Sequence, residues 1–572
     1  MDRKSIIGIA LAVMVFAWAQ YMQSQAQLRQ RQLAQQQAAA AATPEPAATV
    51  APVAIATPTP PPEPVKPPEP AVEEVTQTVT TDAVVYTFTN RGGGIAFVKL
   101  LHHQGAQRGE LMVLNAVAPR PIGALTLKPE AADAGTDAYD IVEKSDTRVV
   151  FQRTAENGLL LRKIYNLDLT AGGQYRINLE VDFHNPTAGA IEQSPYFLYT
   201  GAAAPLRANE FLNYIGFDWY AGRDNTFINA NWFTASRIPL VGIELSAAQA
   251  FYAQSPGNVA WAGVRGQYFT TMILAGRDNP AKGVWARPFP IQVEGRDLKG
   301  IEGYLQVQGG IVSPGASVSR QFTLFAGPAE LRQLAALGHG AEQMMNLDRW
   351  WINRTVGNLL LRSMNFLERF LPSYAWAIIV LTFIVRGLLW PIQGKANRSM
   401  KQMQLLMPKQ TELREKYKDD PAKMNQEIMK LYRDHGVNPL SGCLPMMIQI
   451  PIFIGFFSML GTAVELRNSS FLWVQDLSRP DTLFYIAGFP INILPLMMAA
   501  TMVWMMQLTP KAGDPMQQKM MMFMPIIFVV FTYNFASALA LYYTVQNLLS
   551  IVQLYVTRNQ PAPELQKVKS KK

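Results

Sequence analysis

Cysteine is nearly missing. One residue, Cys443, stands in a chain of 572, which excludes an internal disulfide framework and any thiolate metal cluster. Histidine is scarce as well. His102, His103, His184, His339 and His435 are scattered and show no metal-binding spacing such as HExxH. No Walker loop, no Gly-x-Ser-x-Gly elbow and no nucleic-acid-binding motif is present. Carboxylates are lacking from the long apolar runs, so no acid–base pair is available there. These absences leave no metal, no cofactor and no enzymatic reaction to expect.

What is present is hydrophobic and unevenly spread. Apolar residues make up 49% of the chain, concentrated at 374–392, 443–461, 484–508, 520–535 and 538–556. Each run suits a helix crossing a membrane core of about 30 Å. Near the start, Arg3 and Lys4 precede an apolar run from Ile6 to Met22. By itself this run fits either a secretory signal, with Ala17-Trp18-Ala19 as a cleavage site, or a retained anchor. Residues 1–22 are taken as a transmembrane anchor. Residues 23–80 are Gln/Ala-rich and then Pro-rich, with eleven prolines between Pro44 and Pro70, and form an extended tether.

From Asp82 the pattern alternates. Val84, Tyr86 and Phe88 point one way, Thr87 and Thr89 the other. Arg91-Gly92-Gly93-Gly94 turns the chain into a second strand, 95–101, and the glycine run reads as a turn rather than a phosphate cradle. Further strands are expected at 147–153, 159–169, 174–184, 268–275, 291–296, 302–308 and 318–326. Many short strands with turn signals predict an all-β sandwich over 82–328. The aromatic stretch 211–233 reads mainly as core packing and loop anchoring, with stacking on sugars or peptides as the other use. Residues 329–371 turn helical, and their Trp350, Trp351, Phe366 and Phe370 suit an amphipathic helix lying in the membrane interface.

Charge sets the expected topology. Residues 395–435 carry ten Lys and Arg, which places that segment in the cytoplasm. Counting outward, 374–392 is transmembrane helix 2 and 443–461, 484–508, 520–535 and 538–556 are helices 3 to 6. The β domain then lies outside, the tail 557–572 with Lys567, Lys569, Lys571 and Lys572 lies inside, and the 1–22 anchor must be retained. The 395–435 segment reads as a helical hairpin broken at Asp419-Asp420-Pro421, with Asp420 an N-cap, Pro421 the first helical residue and Pro408 a kink in the first arm. Its Lys401, Lys409, Arg414, Lys416 and Lys418 are candidates for recruiting acidic partners, among them ribosomal RNA.

Within LTFIVRGLLW, 381–390, one residue is out of place. A guanidinium near mid-bilayer costs at least ~2.5 kcal/mol, and Arg386 has no carboxylate in the spans to offset it. Thr382 shares its helix face. In the last span Tyr543, Gln546, Asn547, Ser550 and Gln553 share a face, and Gln449 lies in the third. Such side chains face the bundle or a wet cavity, which predicts a hydrated, positively charged groove. The plainer alternative is an arginine that snorkels to the cytoplasmic interface.

The stretches TFIVRG, VNPLSGCLPMMIQIPIF, VELRNSSFLWVQDLS, DPMQQKMMMFMP and LYYTVQNLLSIVQ resemble the YidC membrane protein insertases of Gram-negative bacteria, over about 350–558. The resemblance implies a multi-domain membrane protein: an all-α membrane core with six spans including the anchor, and an all-β periplasmic supersandwich related to mutarotase-like folds. It implies a multi-pass protein of the bacterial inner membrane that inserts and helps fold nascent membrane proteins through a groove, alone or beside the Sec translocon. The ribosome, the signal recognition particle pathway and the phospholipid bilayer are the further partners implied. The family's groove arginine, threonine, tyrosine and glutamine fall on Arg386, Thr382, Tyr543 and Gln449. Phe535-Ala536-Ser537-Ala538 departs from the family's Pro-Ser-Gly turn. The alternative from another class is a membrane-tethered periplasmic carbohydrate-binding protein. One span would suffice for that, and the polar face would go unexplained.

Overall fold

The structure is a computed structural model describing residues 73–558, apart from 107–108, 119, 132–133, 171, 209, 211, 224, 238–243, 277–278, 346–350, 438–443, 487–488, 510–522 and 524–525. The anchor, most of the tether, Cys443, Trp350 and all but the first two residues of the tail lie outside the described residues. The chain divides between Met345 and Asn346 into two compact units.

The first unit is built from antiparallel strands. Two large sheets carry its core, one of nine strands running from 140–144 at one edge to 225–229 at the other, and one of five containing 196–203, 283–293 and 296–307. They face each other closely. A Cβ on Gly303 of the smaller sheet would lie 2.3 Å from the ring of Phe217 in the larger one, so only glycine admits that ring. Trp261, Phe217, Tyr199 and Tyr304 fill the interior. In the 211–233 stretch Ile215, Phe217, Trp232 and Phe233 are buried, which is the core-packing role.

Two strand expectations need correction. Residues 291–296 are no single strand. Gly283–Val293 and Arg296–Val307 form one long hairpin, turning at Glu294 and Gly295, both with positive φ. Nor does the alternation of Val84–Thr89 run through unbroken, because a register shift falls at Thr87/Phe88, and Thr87 and Thr89 are buried along with Val84, Tyr86 and Phe88. The strand is covered on both faces, so its alternation reports little. Gly92 and Gly93 do make a turn. Their carbonyls accept from the fully buried Lys163 at 2.6 Å and from Tyr165 at 3.0 Å. Burial holds the Lys163 ammonium well below the usual lysine range.

The second unit is helical. After the short α1 (Leu331–Leu337), which closes the first unit, come α2 (Trp351–Glu368), α3 (Tyr374–Lys416), α4 (Pro421–Asp434), α5 (Leu444–Thr462), α6 (Ile493–Leu508) and α7 (Ser537–Arg558). Residues 526–532 are helical as well. Helix α2 buries Leu360, Leu361 and Met364 and exposes Leu359 and Phe366. It lies against α5 at Gly455, where a Cβ would come within 2.8 Å of Val356.

Two boundaries differ from those expected. Helix α3 does not stop near 392. It runs 43 residues, about 65 Å at 1.5 Å per residue, so the second span and the first arm of the hairpin are one rod. Pro391 and Pro408 lie inside it. Along 484–508 the helix begins only at Ile493. Before it, Thr482–Ile486 pairs with Phe489–Asn492 as a two-stranded ribbon. The Asp481 carboxylate accepts from the Leu494 amide at 2.6 Å and from the Trp473 indole at 3.1 Å, which fixes the helix start there. Among the described residues, two helices are long and apolar enough to cross a membrane, within Tyr374–Lys416 and Ser537–Thr557. Met447–Thr462 and Ile493–Leu508 are shorter apolar helices.

In the hairpin, Leu406, Ile428, Tyr432 and Val437 form a small core between the arms. The Asp420 side chain accepts from the Lys423 amide at 3.0 Å and Pro421 opens α4, as its sequence predicts.

Candidate functional site: a polar seam between helices

Helix α7 is amphipathic in an inverted sense, with its polar face turned toward other helices. Gln546, Asn547, Ser550 and Gln553 recur at helical spacing and all are buried. Each finds a partner, as a buried polar group must. Gln553 is fully buried. It accepts from an Arg386 guanidinium nitrogen at 3.0 Å and donates to the Trp390 carbonyl at 3.1 Å. Gln546 donates to Gln449 of α5 at 3.0 Å, and Gln449 donates to the Tyr542 hydroxyl at 3.3 Å. Asn547 donates to Thr501 of α6 at 3.1 Å. Ser550 and Thr382 each donate to the carbonyl one turn earlier, at 2.8 and 2.6 Å.

These bonds tie α3, α5 and α6 to α7 through neutral side chains. Arg386 is the exception. It is 6% exposed, bonded to a neutral amide, and its Nε is buried with no partner. Among the described residues no carboxylate pairs with it. A guanidinium presents five donors, and here much of that capacity is unused.

The structure brings Arg386, Gln449, Gln546 and Asn547 into this seam. Tyr543 it places differently. Its ring packs on Phe453 and Phe528 at 5.5 and 5.1 Å, and the hydroxyl of the neighbouring Tyr542, stacked on Phe456 at 3.9 Å, accepts from Gln449. The sequence reading missed Tyr542 and Thr501. A signal for Tyr542 existed, since it lies one turn before Gln546. Thr501 sits alone in the apolar middle of α6, where Gln507 near the end is the other polar side chain, and no spacing marks it.

The recruitment lysines also divide. Lys409, Lys416 and Lys418 are exposed. Lys401 instead donates to the Thr557 carbonyl at 2.7 Å, where a cation suits a helix C-terminus. At the other end of the bundle, Ser537 donates its amide to the Arg479 carbonyl at 2.7 Å and its hydroxyl to the Asp476 and Leu477 carbonyls. The departing turn Phe535–Ala538 is thus anchored through its serine.

Sequence comparison places this arrangement. The family model described as "60Kd inner membrane protein" matches residues 366–564, and that described as "YidC periplasmic domain" matches 76–355. Curated proteins called "Membrane protein insertase YidC" are similar along most of their length. That of Pelobacter propionicus is 32% identical, over 84% of this chain and 87% of its own. That of Syntrophus aciditrophicus is 31% identical, over 85% and 86%.

The chain belongs to the YidC membrane protein insertase family.

It is accordingly an inner-membrane protein with a periplasmic domain. Among solved structures, an active YidC insertase with its first transmembrane domain resolved is 17% identical, covering 85% of this chain and 93% of its own, with a TM-score of 0.34. A galactose mutarotase related enzyme from Lactobacillus acidophilus is 12% identical, covering 44% of this chain and 97% of its own, with a TM-score of 0.30. Family membership rests on the sequence matches.

Proposed function

We propose that this member of the YidC family inserts nascent membrane proteins into the inner membrane along the seam between α3, α5, α6 and α7. The observation that carries this reading is Arg386, a buried cation held by a neutral amide with donors to spare. In hydrocarbon an unneutralised guanidinium is costly. Water admitted to the seam lowers that cost, and so does an anion. An acidic segment of a nascent chain supplies one. Gln449, Gln546 and Asn547 exchange their mutual bonds for bonds to water or to the passing backbone, which has no partners of its own in lipid. The apolar part of the substrate leaves sideways into the bilayer, a favourable transfer. No covalent bond is broken, so no catalytic residue, metal or cofactor is assigned.

The topology belongs to the same proposal. Six spans, counting the 1–22 anchor, put both termini and the basic hairpin in the cytoplasm and the β domain in the periplasm, as the lysine and arginine distribution supports. The hairpin and tail receive the ribosome or a targeting factor of the signal recognition particle pathway, and the Sec translocon is the partner for larger substrates. The β domain resembles sugar-binding folds, yet a carbohydrate-binding role leaves the buried arginine and the amide chain without purpose.

A stalled nascent membrane protein tests the seam. With a photoreactive residue at Gln449 or Gln546, the substrate should crosslink. At the exposed Val552 of α7 it should crosslink several-fold less. Equal or reversed yields would place the substrate elsewhere.

A further inference from the structure

The ribbon of Thr482–Ile486 and Phe489–Asn492 carries no charge, and its apolar side chains are uncovered. Leu483, Phe484, Tyr485, Ile486 and Phe489 are 55%, 48%, 69%, 57% and 57% exposed. A register shift between Thr482 and Phe484 bulges the strand at Leu483, and from Phe484 onward side chains alternate across it, so Phe484 and Ile486 lie on one face and Tyr485 on the other. Toward the helix the ribbon is less open, with Pro490 and Ile491 half-buried and Asn492 buried. An apolar group this size on a soluble surface marks an interaction site.

Its base is rigid. The Thr482 hydroxyl donates to the Asn492 side chain at 2.7 Å, and Asn492 donates to the Tyr533 carbonyl at 2.8 Å. Phe489 stacks on Tyr533 at 5.4 Å. The ribbon is therefore held at the bundle end where α6 starts, beside residue 533.

Three observations choose the occupant. Helix α6 has 16 residues, about 24 Å at 1.5 Å per residue, short of a hydrocarbon core of about 30 Å. From Thr482 to Pro510 the sequence contains no charged residue, so nothing separates the ribbon from the span that follows it. The exposed apolar surface is continuous in kind, from the ribbon to Leu496, Met497 and Val503 of α6 and to Ile526, Ile527, Val530 and Phe531. A two-stranded ribbon also has two unpaired edges, whose amides and carbonyls cannot enter dry hydrocarbon. Its depth is fixed from both sides.

We propose that this ribbon is a membrane-interface element. It rests at the headgroup–acyl boundary of the periplasmic leaflet, with apolar side chains on both faces in lipid and its strand edges among headgroups and water. It completes the apolar height that α6 lacks. The proposal rests on the reading that the helical unit spans the bilayer, and its test separates the two.

The single cysteine makes the experiment direct. In the full-length protein with Cys443→Ser, a new cysteine at Tyr485 or, independently, Ile486 is labelled with an environment-sensitive fluorophore in phospholipid vesicles. A third protein carries the label at Val530, on the exposed face of a span. Quenching is compared between spin-labelled lipids with the label near the headgroup, lipids with it near the chain end, and aqueous iodide. The ribbon positions should be quenched several-fold more by the shallow lipid label than by the deep one or by iodide, and Val530 should favour the deep label. Strong iodide quenching at both ribbon positions with Val530 in lipid would overturn the proposal and leave the span reading intact. Shielding that appears only when another protein is added would do the same. Iodide quenching at all three sites would overturn both.

Discussion

Arg386 and Asp218 are both ionisable groups withdrawn from water, and the fold supports them in opposite ways. Asp218, fully buried in the β unit, faces Arg265 at 3.9 Å and accepts from Asn225 at 3.1 Å. Arg265 also donates to the Met344 carbonyl, near the end of that unit. Burial dominates, and the Asp218 carboxyl is pushed up from 3.8 to about 7. Between those values the folded chain holds a proton that the unfolded chain has released. Stability from this group is therefore present at low pH and falls as pH rises from about 4 to about 7, by up to ~1.4 kcal/mol per unit. In hydrogen exchange of peptides spanning 216–220 and 261–265, corrected for intrinsic rates, Asp218→Asn should flatten that decline. The same slope in both proteins would show that Asp218 does not titrate there. Among the described residues Arg386 has no such ion-pair partner, only the neutral amide of Gln553.

At the scale of elements, the hairpin and the spans were legible to different degrees. Asp420 and Pro421 encode the start of α4 locally, so its cap follows from sequence. The ribbon before α6 does not. Its residues are as apolar as the helix that follows, and hydropathy cannot separate strand from helix in such a run. Only the lock of Asp481 and Asn492, made through space, sets the boundary at Ile493. Tyr542 and Tyr543 are likewise distinguished by contacts distant in sequence. Both fall within the polar arc of α7, and packing against Phe453 or Phe456 decides which hydroxyl reaches Gln449. The hairpin exposes Lys409, Lys416 and Lys418, and its binding to ribosomes should be electrostatic. Cosedimentation should weaken steeply as salt rises and be lost when 396–434 and the tail are removed together. Binding that ignores both changes would give the hairpin another role.

Across the whole molecule, the β domain and the helical unit are encoded by different patterns, period-two alternation with turns in one and long apolar runs in the other. Both were readable as classes. The facing of two sheets through Gly303 and Phe217 was not, since it depends on residues distant in sequence. Among the described residues of the helical unit, Arg386 is a buried cation bonded to a neutral amide. The most direct measurement is insertion of one substrate carrying zero, one, two or three acidic residues in its translocated segment, by the wild type, Arg386→Lys, Arg386→Gln and Arg386→Glu at matched membrane levels. A groove cation predicts that Arg386→Lys retains most activity, because the charge remains although the bidentate fork is lost. It predicts that Arg386→Gln fails increasingly with acidic count, by several-fold at three, and that Arg386→Glu is worst. Equal loss across the series, in all three variants, would contradict it and leave Arg386 a structural residue that acts through stability alone.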